Sequence, residues 1–439
     1  MHEPYEFARA DRPAYASDFQ QRPWRRALQI KAMKQTDIVI VGAGMVGSLL
    51  AALLRNAGLD IVMLERAAVR PPEKDDAFEP RVSALTRASE NLLRHVGAWP
   101  AIEALRCCPY REMEVWDANG TGRVHFRAAE LGESHLGVMV ENRLLQWALT
   151  EAAVASPTVS LECPAQLVAL ERLPQSWRLT LEGGAQLEAR LVIGADGALS
   201  AVRRLSGIGG RETDYGQRAI VTTVRTERAH GACARQRFSE TGPLAFLPLL
   251  THDGDAHSCS IVWSQDDAEA QRLLALDDAA FCRELGTAFE FSLGDIQGCD
   301  ARHSFPLRAV HASDYVREGL ALIGDAAHAI HPLAGQGVNL GLLDAAVLAE
   351  EIVRARERGL PWWSEATLSR YSRRRRAHNT LILSSMTMFK TLFASRHPFL
   401  VIARNLGMQA TGALLPVKQE IVRVAMGLAG DIPAAARSA

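Results

Sequence analysis

Asp37-Ile38-Val39-Ile40-Val41-Gly42-Ala43-Gly44-Met45-Val46-Gly47 decides the fold. A short, β-branched, apolar run that stops in glycines has the pattern of a buried parallel strand. From Met45 to Asn56 small and aliphatic residues follow at helical spacing, and Gly58 closes the segment. Ile61-Val62-Met63-Leu64-Glu65 then predicts a second buried strand. Strand, glycine turn, helix and strand make the βαβ unit of a doubly wound α/β sheet. Gly42, Gly44 and Gly47 form the GxGxxG fingerprint. The first glycine permits the tight turn, the second lets the backbone approach a pyrophosphate, and the third lets helix and strand pack closely. The helix start at Met45 and Val46 points free N–H groups and a positive dipole end at phosphates. Glu65, about 20 residues on, places a carboxylate that accepts hydrogen bonds from ribose hydroxyls and repels a 2′-phosphate.

Two further glycine-bounded strand ends follow. Ala189-Arg190-Leu191-Val192-Ile193 runs into Gly194-Ala195-Asp196-Gly197, with Ser200, Val202 and Arg203 beyond. Taken alone, Asp196 fits a turn former and a site residue equally well. After Gly319 the apolar run Leu320-Ala321-Leu322-Ile323 leads into Gly324-Asp325-Ala326-Ala327-His328 and then His331-Pro332-Leu333-Ala334-Gly335-Gln336-Gly337-Val338-Asn339. Asp325 sits where an acceptor can take sugar-alcohol hydroxyls. Gly335, Gln336 and Gly337 open a helix running through Asp344, whose first N–H groups suit the electron-rich edge of a reduced ring.

The rest of the chain bounds the problem. Its 439 residues predict two to three domains. Lys and Arg number 49 against 50 Asp and Glu, so no global field draws nucleic acid. Seven cysteines without a CxxC pair fit reduced thiols in a cytoplasmic protein and no metal site. Residues 1–35 carry charges and prolines without a signal-peptide core and are expected to be a flexible extension. No run of about 18 apolar residues predicts a membrane span. Residues 71–80 are expected to be a loop and 83–106 helical. Alternation over 110–127 and 219–264 predicts antiparallel strands of one sheet in an inserted second domain, and 365–428 is expected to be mostly helical. The Arg373–Arg376 run has the pattern of a solvated helix face. The apolar stretch Leu381–Leu415 fits core packing or a subunit contact better than a membrane or lipid-protein surface.

In this order and spacing the three motifs resemble the flavoprotein aromatic hydroxylases. The likeness sharpens at HPLAGQGVNLGLLDA to the ubiquinone-biosynthesis hydroxylases, and covers about residues 36 to 428. Segments MEVWD (113–117), SHLG (134–137), RTE (225–227), FLPL (246–249) and SIVWS (260–264) resemble the branch that hydroxylates 2-polyprenylphenol. The resemblance implies a Rossmann-like FAD-binding domain (36–108, 135–210 and 304–357) of the class A flavoprotein monooxygenase type. It also implies an inserted antiparallel β-sheet substrate domain (109–134 and 211–303) and a helical C-terminal region (358–439).

The resemblance further implies FAD as cofactor and NAD(P)H as co-substrate, with hydroxylation of a polyprenylated phenol through a C4a-hydroperoxyflavin. By the same resemblance Gly42, Gly44, Met45, Val46 and Gly47 hold the pyrophosphate, Glu65 the adenosine ribose, Arg81 the phosphates or ribose, and Asp325 the ribityl chain. Gly335, Gln336, Gly337, Val338 and Asn339 surround the isoalloxazine, while Asp196 and Arg203 serve FAD and NADPH handling. Pro332, His331 and Gln336 are the candidate catalytic positions, with the Pro332 carbonyl facing the substrate ring. His328 is expected to pack or hydrogen-bond. Leu199 stands where Asn is common. Implied partners are the polyprenylphenol or a related ubiquinone intermediate, other ubiquinone-biosynthesis proteins, a peripheral membrane or lipid contact through the C-terminal region, and a second copy of the chain. An isoprenoid or quinone reductase or dehydrogenase, hydroxylation at another ring position, and a non-catalytic FAD-stabilised scaffold are the alternatives.

Overall fold

A computed structural model describes residues 33–68, 70–74, 76–329, 337–394, 404, 405, 408 and 415–437. Strand β1 (Lys34–Val41) begins three residues before Asp37, because Lys34–Thr36 already pair with Leu187–Ala189 through the backbone, which asks nothing of the side chains. Helix α1 (Met45–Leu54) ends two residues short of the expected Asn56, and β2 (Ile61–Leu64) is fully buried. Strands β1 and β2 lie in an eight-stranded sheet. Its parallel core runs Leu320–Leu322, Gln186–Gly194, β1, β2, Val159–Glu162. A parallel sheet covered on both faces requires the continuous apolar runs that these strands carry.

The expected helix over 83–106 is a strand followed by two helices. Val82–Thr86 pairs antiparallel with Gly137–Glu141, then α2 (Arg87–His95) and α3 (Trp99–Leu105) follow. Thr86 accepts the Ser89 N–H at 3.2 Å, so the helix starts after this cap. Strands Glu112–Asp117 and Arg123–Arg127 share a nine-stranded sheet with Gly210–Thr226, Gly242–Leu249 and Ser258–Asp266. The two sequence blocks meet through a parallel pairing of Glu112–Asp117 with Cys233–Ser239, in a sheet otherwise expected to be antiparallel. A small apolar cluster around Cys108, Met139, Ala234 and Leu249 sits where this sheet meets the three-stranded one.

Helices α4 (Asn142–Val154) and α5 (Ala201–Leu205) follow strand ends, while α6 (Asp267–Ala275) and α7 (Asp278–Ala288) cover the nine-stranded sheet. Helix α8 (Gly337–Glu357) is buried through most of its length and packs on α1 and on α9 (Glu365–Ala394). The solvated-face expectation for 373–376 fails in part. Arg373 and Arg376 are exposed, but Arg375 is buried against Asp344, and Arg374 pairs with Glu350, Glu351 and Asp431. Within the C-terminal apolar stretch, buried Phe393 stacks on Phe238 with ring centroids 4.4 Å apart, and most of 395–414 lies outside the described residues. No helix of the described residues is long and apolar enough to cross a membrane. All seven cysteines are free.

Candidate functional site

The three motif strands end side by side. Val41 pairs in register with Leu64 and Gly194, and Gly194 with Leu322. The steps continue past the strands: Gly42 N–H donates to Leu64 O, Ala195 N–H to Val41 O, and Ile323 N–H to Gly194 O. Glycines let the turns that follow touch one another. A Cβ on Gly42, at φ +102°, would meet Ala195 O at 2.5 Å. One on Gly194 would meet Leu322 at 2.7 Å, and one on Gly324 would meet Val46 at 3.2 Å. The first motif thus packs on the second, the second on the third, and the third on the first. The carboxyl ends of parallel strands are where doubly wound sheets bind ligands.

Within the first motif the glycines have different tasks. A Cβ on Gly47 would strike Gly42 O at 2.0 Å, so this position serves packing. A Cβ on Gly44 would meet nothing within 4 Å. Gly44 is also the N-cap of α1, and no side chain caps that helix. An open backbone beside an uncapped helix start suits an anion. Val46 and Met45 put their side chains into packing. Gln146 and Ser48, which the sequence did not flag, donate to Ala43 O at 2.9 and 3.1 Å and fix the turn from α4 and α1. Glu65 accepts Ala43 N–H at 2.9 Å and Ala67 N–H at 3.1 Å, so its carboxylate sits against the same turn.

In the second motif the side chains work inside the protein. Asp196 accepts from Ser200 Oγ and from the N–H groups of Ala201 and Val202, capping α5. Burial pushes its carboxyl up, against those hydrogen bonds. Arg203 is buried and donates to Ala198 O at 2.7 Å and to Ala326 O at 2.8 Å, tying the second motif to the third. Leu199 is 87% exposed.

Asp325 of the third motif has exposed surface, yet desolvation by the surrounding protein raises its carboxyl, with His328 and Arg81 pulling it back. The described residues make no hydrogen bond to its carboxylate. Arg81 is exposed and lies over the Phe305 ring at 5.5 Å. Val338 packs against the core. Asn339 turns inward: its Oδ1 accepts Thr86 N–H and Ser89 Oγ, and its Nδ2 donates to Ala84 O, so its side chain braces the strand beyond Arg81. Gly337 opens α8, while His331, Pro332, Gly335 and Gln336 lie outside the described residues. His328 is buried and hydrogen-bonded to Asp344, a residue the motif reading passed over.

A dinucleotide fits this arrangement. The open Gly44 backbone and α1 N-terminus suit its pyrophosphate, Glu65 a ribose, and Asp325 a further polyol. A cavity of about 680 Å³ lined by Lys74, Phe78, Arg106, Arg225 and His252 contains no residue of the three motifs, so it is a separate feature. The profile of the FAD binding domain family matches residues 35–385.

The chain belongs to that family.

It is 42% identical over 393 residues to the 3-demethoxyubiquinol 3-hydroxylase of Escherichia coli (strain K12), covering 90% of this chain and 99% of that protein. It is 38% identical over 398 residues to the ubiquinone hydroxylase UbiL of Rhodospirillum rubrum, covering 90% of each. The crystal structure of p-nitrophenol 4-monooxygenase PnpA from Pseudomonas putida DLL-E4 superposes with a TM-score of 0.73 at 21% identity, over 91% of this chain and all of that one, which shows a shared fold. The chain is an FAD-dependent monooxygenase of the ubiquinone-biosynthesis hydroxylase family.

Proposed function

We propose that this FAD enzyme of the family hydroxylates the ring of a polyprenylated ubiquinone intermediate, and that the intermediate is a demethoxyubiquinol. The observation that carries the ring position is the 42% identity, over nearly the whole of both chains, with the 3-demethoxyubiquinol 3-hydroxylase. A second reading, 2-polyprenylphenol, rests on the MEVWD, SHLG, RTE, FLPL and SIVWS segments.

When bound, the flavin supplies the redox chemistry, accepting a hydride from NAD(P)H and activating oxygen. The chain's residues supply binding and exclusion of water. In this reading the Gly44 backbone and the start of α1 hold the pyrophosphate, Glu65 accepts from the adenosine ribose, and Asp325 accepts from the ribityl hydroxyls. Arg81 adds positive charge near Asp325. Asp196 acts by capping α5, and Arg203 by holding the second turn against the third. Pro332, His331 and Gln336 are proposed at the reacting edge on the resemblance of their motif.

The test supplies purified protein, NAD(P)H and oxygen-18 gas with a short-chain demethoxyubiquinol or a short-chain 2-polyprenylphenol. One oxygen-18 atom in the demethoxyubiquinol product supports the proposal. Turnover of the phenol alone moves the assignment to the second reading, and oxidation without label incorporation makes the protein a dehydrogenase.

A further inference from the structure

We infer that Asp344 is a positioning residue for the flavin: it fixes the turn that presents Asp325, and Arg375 of α9 holds it in place. The turn Gly324-Asp325-Ala326-Ala327-His328 has almost no side chains with which to anchor itself. Asp344, fully buried on α8, anchors it from outside. Its Oδ2 accepts Gly324 N–H at 3.1 Å and pairs with His328 Nε2. One carboxylate oxygen therefore grips the turn on both sides of Asp325.

The other oxygen faces α9. Oδ1 accepts Arg375 Nε at 2.7 Å and Asn379 Nδ2 at 3.2 Å, and Arg375 Nη2 donates to Asn379 Oδ1 at 2.9 Å. Tyr371, one turn earlier on the same helix, donates to Leu322 O at 2.7 Å, on the strand that leads into the turn. Burial pushes the Asp344 carboxyl up, but the charges of His328 and Arg375 outweigh it and hold it well below the usual carboxylate range. A helix outside every cofactor motif thus reaches the cofactor's polyol site through one ionised side chain. Removing Arg375 takes one of the two charged partners from Asp344, and a buried carboxylate so left shifts or draws in water. The turn then loses a fixed anchor.

Breaking a buried ion pair also costs stability, so the test needs a matched control. Arg404 supplies it: it is buried, pairs twice with Asp117 of the nine-stranded sheet at 2.7 and 3.1 Å, and touches α9 at its far end, through Leu392 O and Phe393 O. Apoprotein of Arg375→Met, Arg375→Lys, Asn379→Ala and Arg404→Met is titrated with FAD by flavin fluorescence, and each apoprotein's melting temperature is recorded. Arg375→Met is expected to raise the FAD dissociation constant about tenfold or more, with Arg375→Lys recovering part of the loss. Arg404→Met is expected to lower the melting temperature and leave that constant unchanged. If Arg375→Met does not fold, Arg375→Lys and Asn379→Ala decide. Dissociation constants within about twofold of the parent in the foldable Arg375 and Asn379 variants overturn the inference, as does an equal rise in Arg404→Met. The outcome does not depend on which ring the enzyme hydroxylates.

Discussion

At the scale of single residues, the three glycines of the GxGxxG turn look alike in sequence, yet Gly42 and Gly47 pack and Gly44 faces open space. Gly44→Ala meets no atom within 4 Å, so the apoprotein should melt within a few degrees of the parent while its FAD affinity falls about tenfold or more. Gly47→Ala drives a methyl into Gly42 O and should cost on the order of 3 kcal/mol or leave the protein insoluble, read by chemical denaturation. Asp325→Ala should yield a protein that folds but purifies without flavin colour. A mutant that stays yellow and active would remove Asp325 from the polyol role. The sequence made the GxGxxG turn legible because its chemistry is local, set by the φ of Gly42 and the close backbone approach at Gly47, whereas Asp196 read equally as a turn former or a site residue until its cap on α5 was seen. Arg375 was illegible for the opposite reason. Four consecutive arginines look like a solvated face until the partner of one of them, Asp344, is seen 31 positions away across a helix pair.

At the scale of elements, α2 gives a pH prediction. Glu90 is buried and receives hydrogen bonds from His135 and from Arg94, and it pairs with Arg87. Burial pushes its carboxyl up, yet these partners bring it down to about 2 from 4.5. A depressed folded-state pKa means that the stabilisation is fully present above about 4.5 and is lost as the pH falls through about 2. The contribution is on the order of 3 kcal/mol at neutral pH. Glu90→Gln should therefore flatten the fall of melting temperature over that acid window and lower it at neutral pH; an unchanged acid profile would remove Glu90 from the account. The position of α2 itself was misjudged from sequence. Alternation over Val82–Thr86 is too short to stand out beside a helical pattern, and only the Thr86 cap marks the boundary. The apolar run of β1 and the long helix α8 were legible, since burial on both faces leaves one composition that works.

At the scale of the whole molecule, the fold brings three distant segments to the carboxyl end of one sheet, and the sequence order of the motifs carries that arrangement. Pairing between the sequence blocks 110–127 and 219–264 is less legible, because the parallel contact of Glu112–Asp117 with Cys233–Ser239 depends on tertiary context. The account as a whole rests on a single flavin held jointly by the ends of β1, Gln186–Gly194 and Leu320–Leu322. Equilibrium titration of apoprotein with FAD tests this most directly, run on the parent and on Gly44→Val, Arg203→Met and Asp325→Ala. One FAD bound per parent chain, with affinity lost in all three variants, is the predicted result. A parent that binds no FAD, or a variant in any one motif that binds it as tightly as the parent, would contradict the convergence.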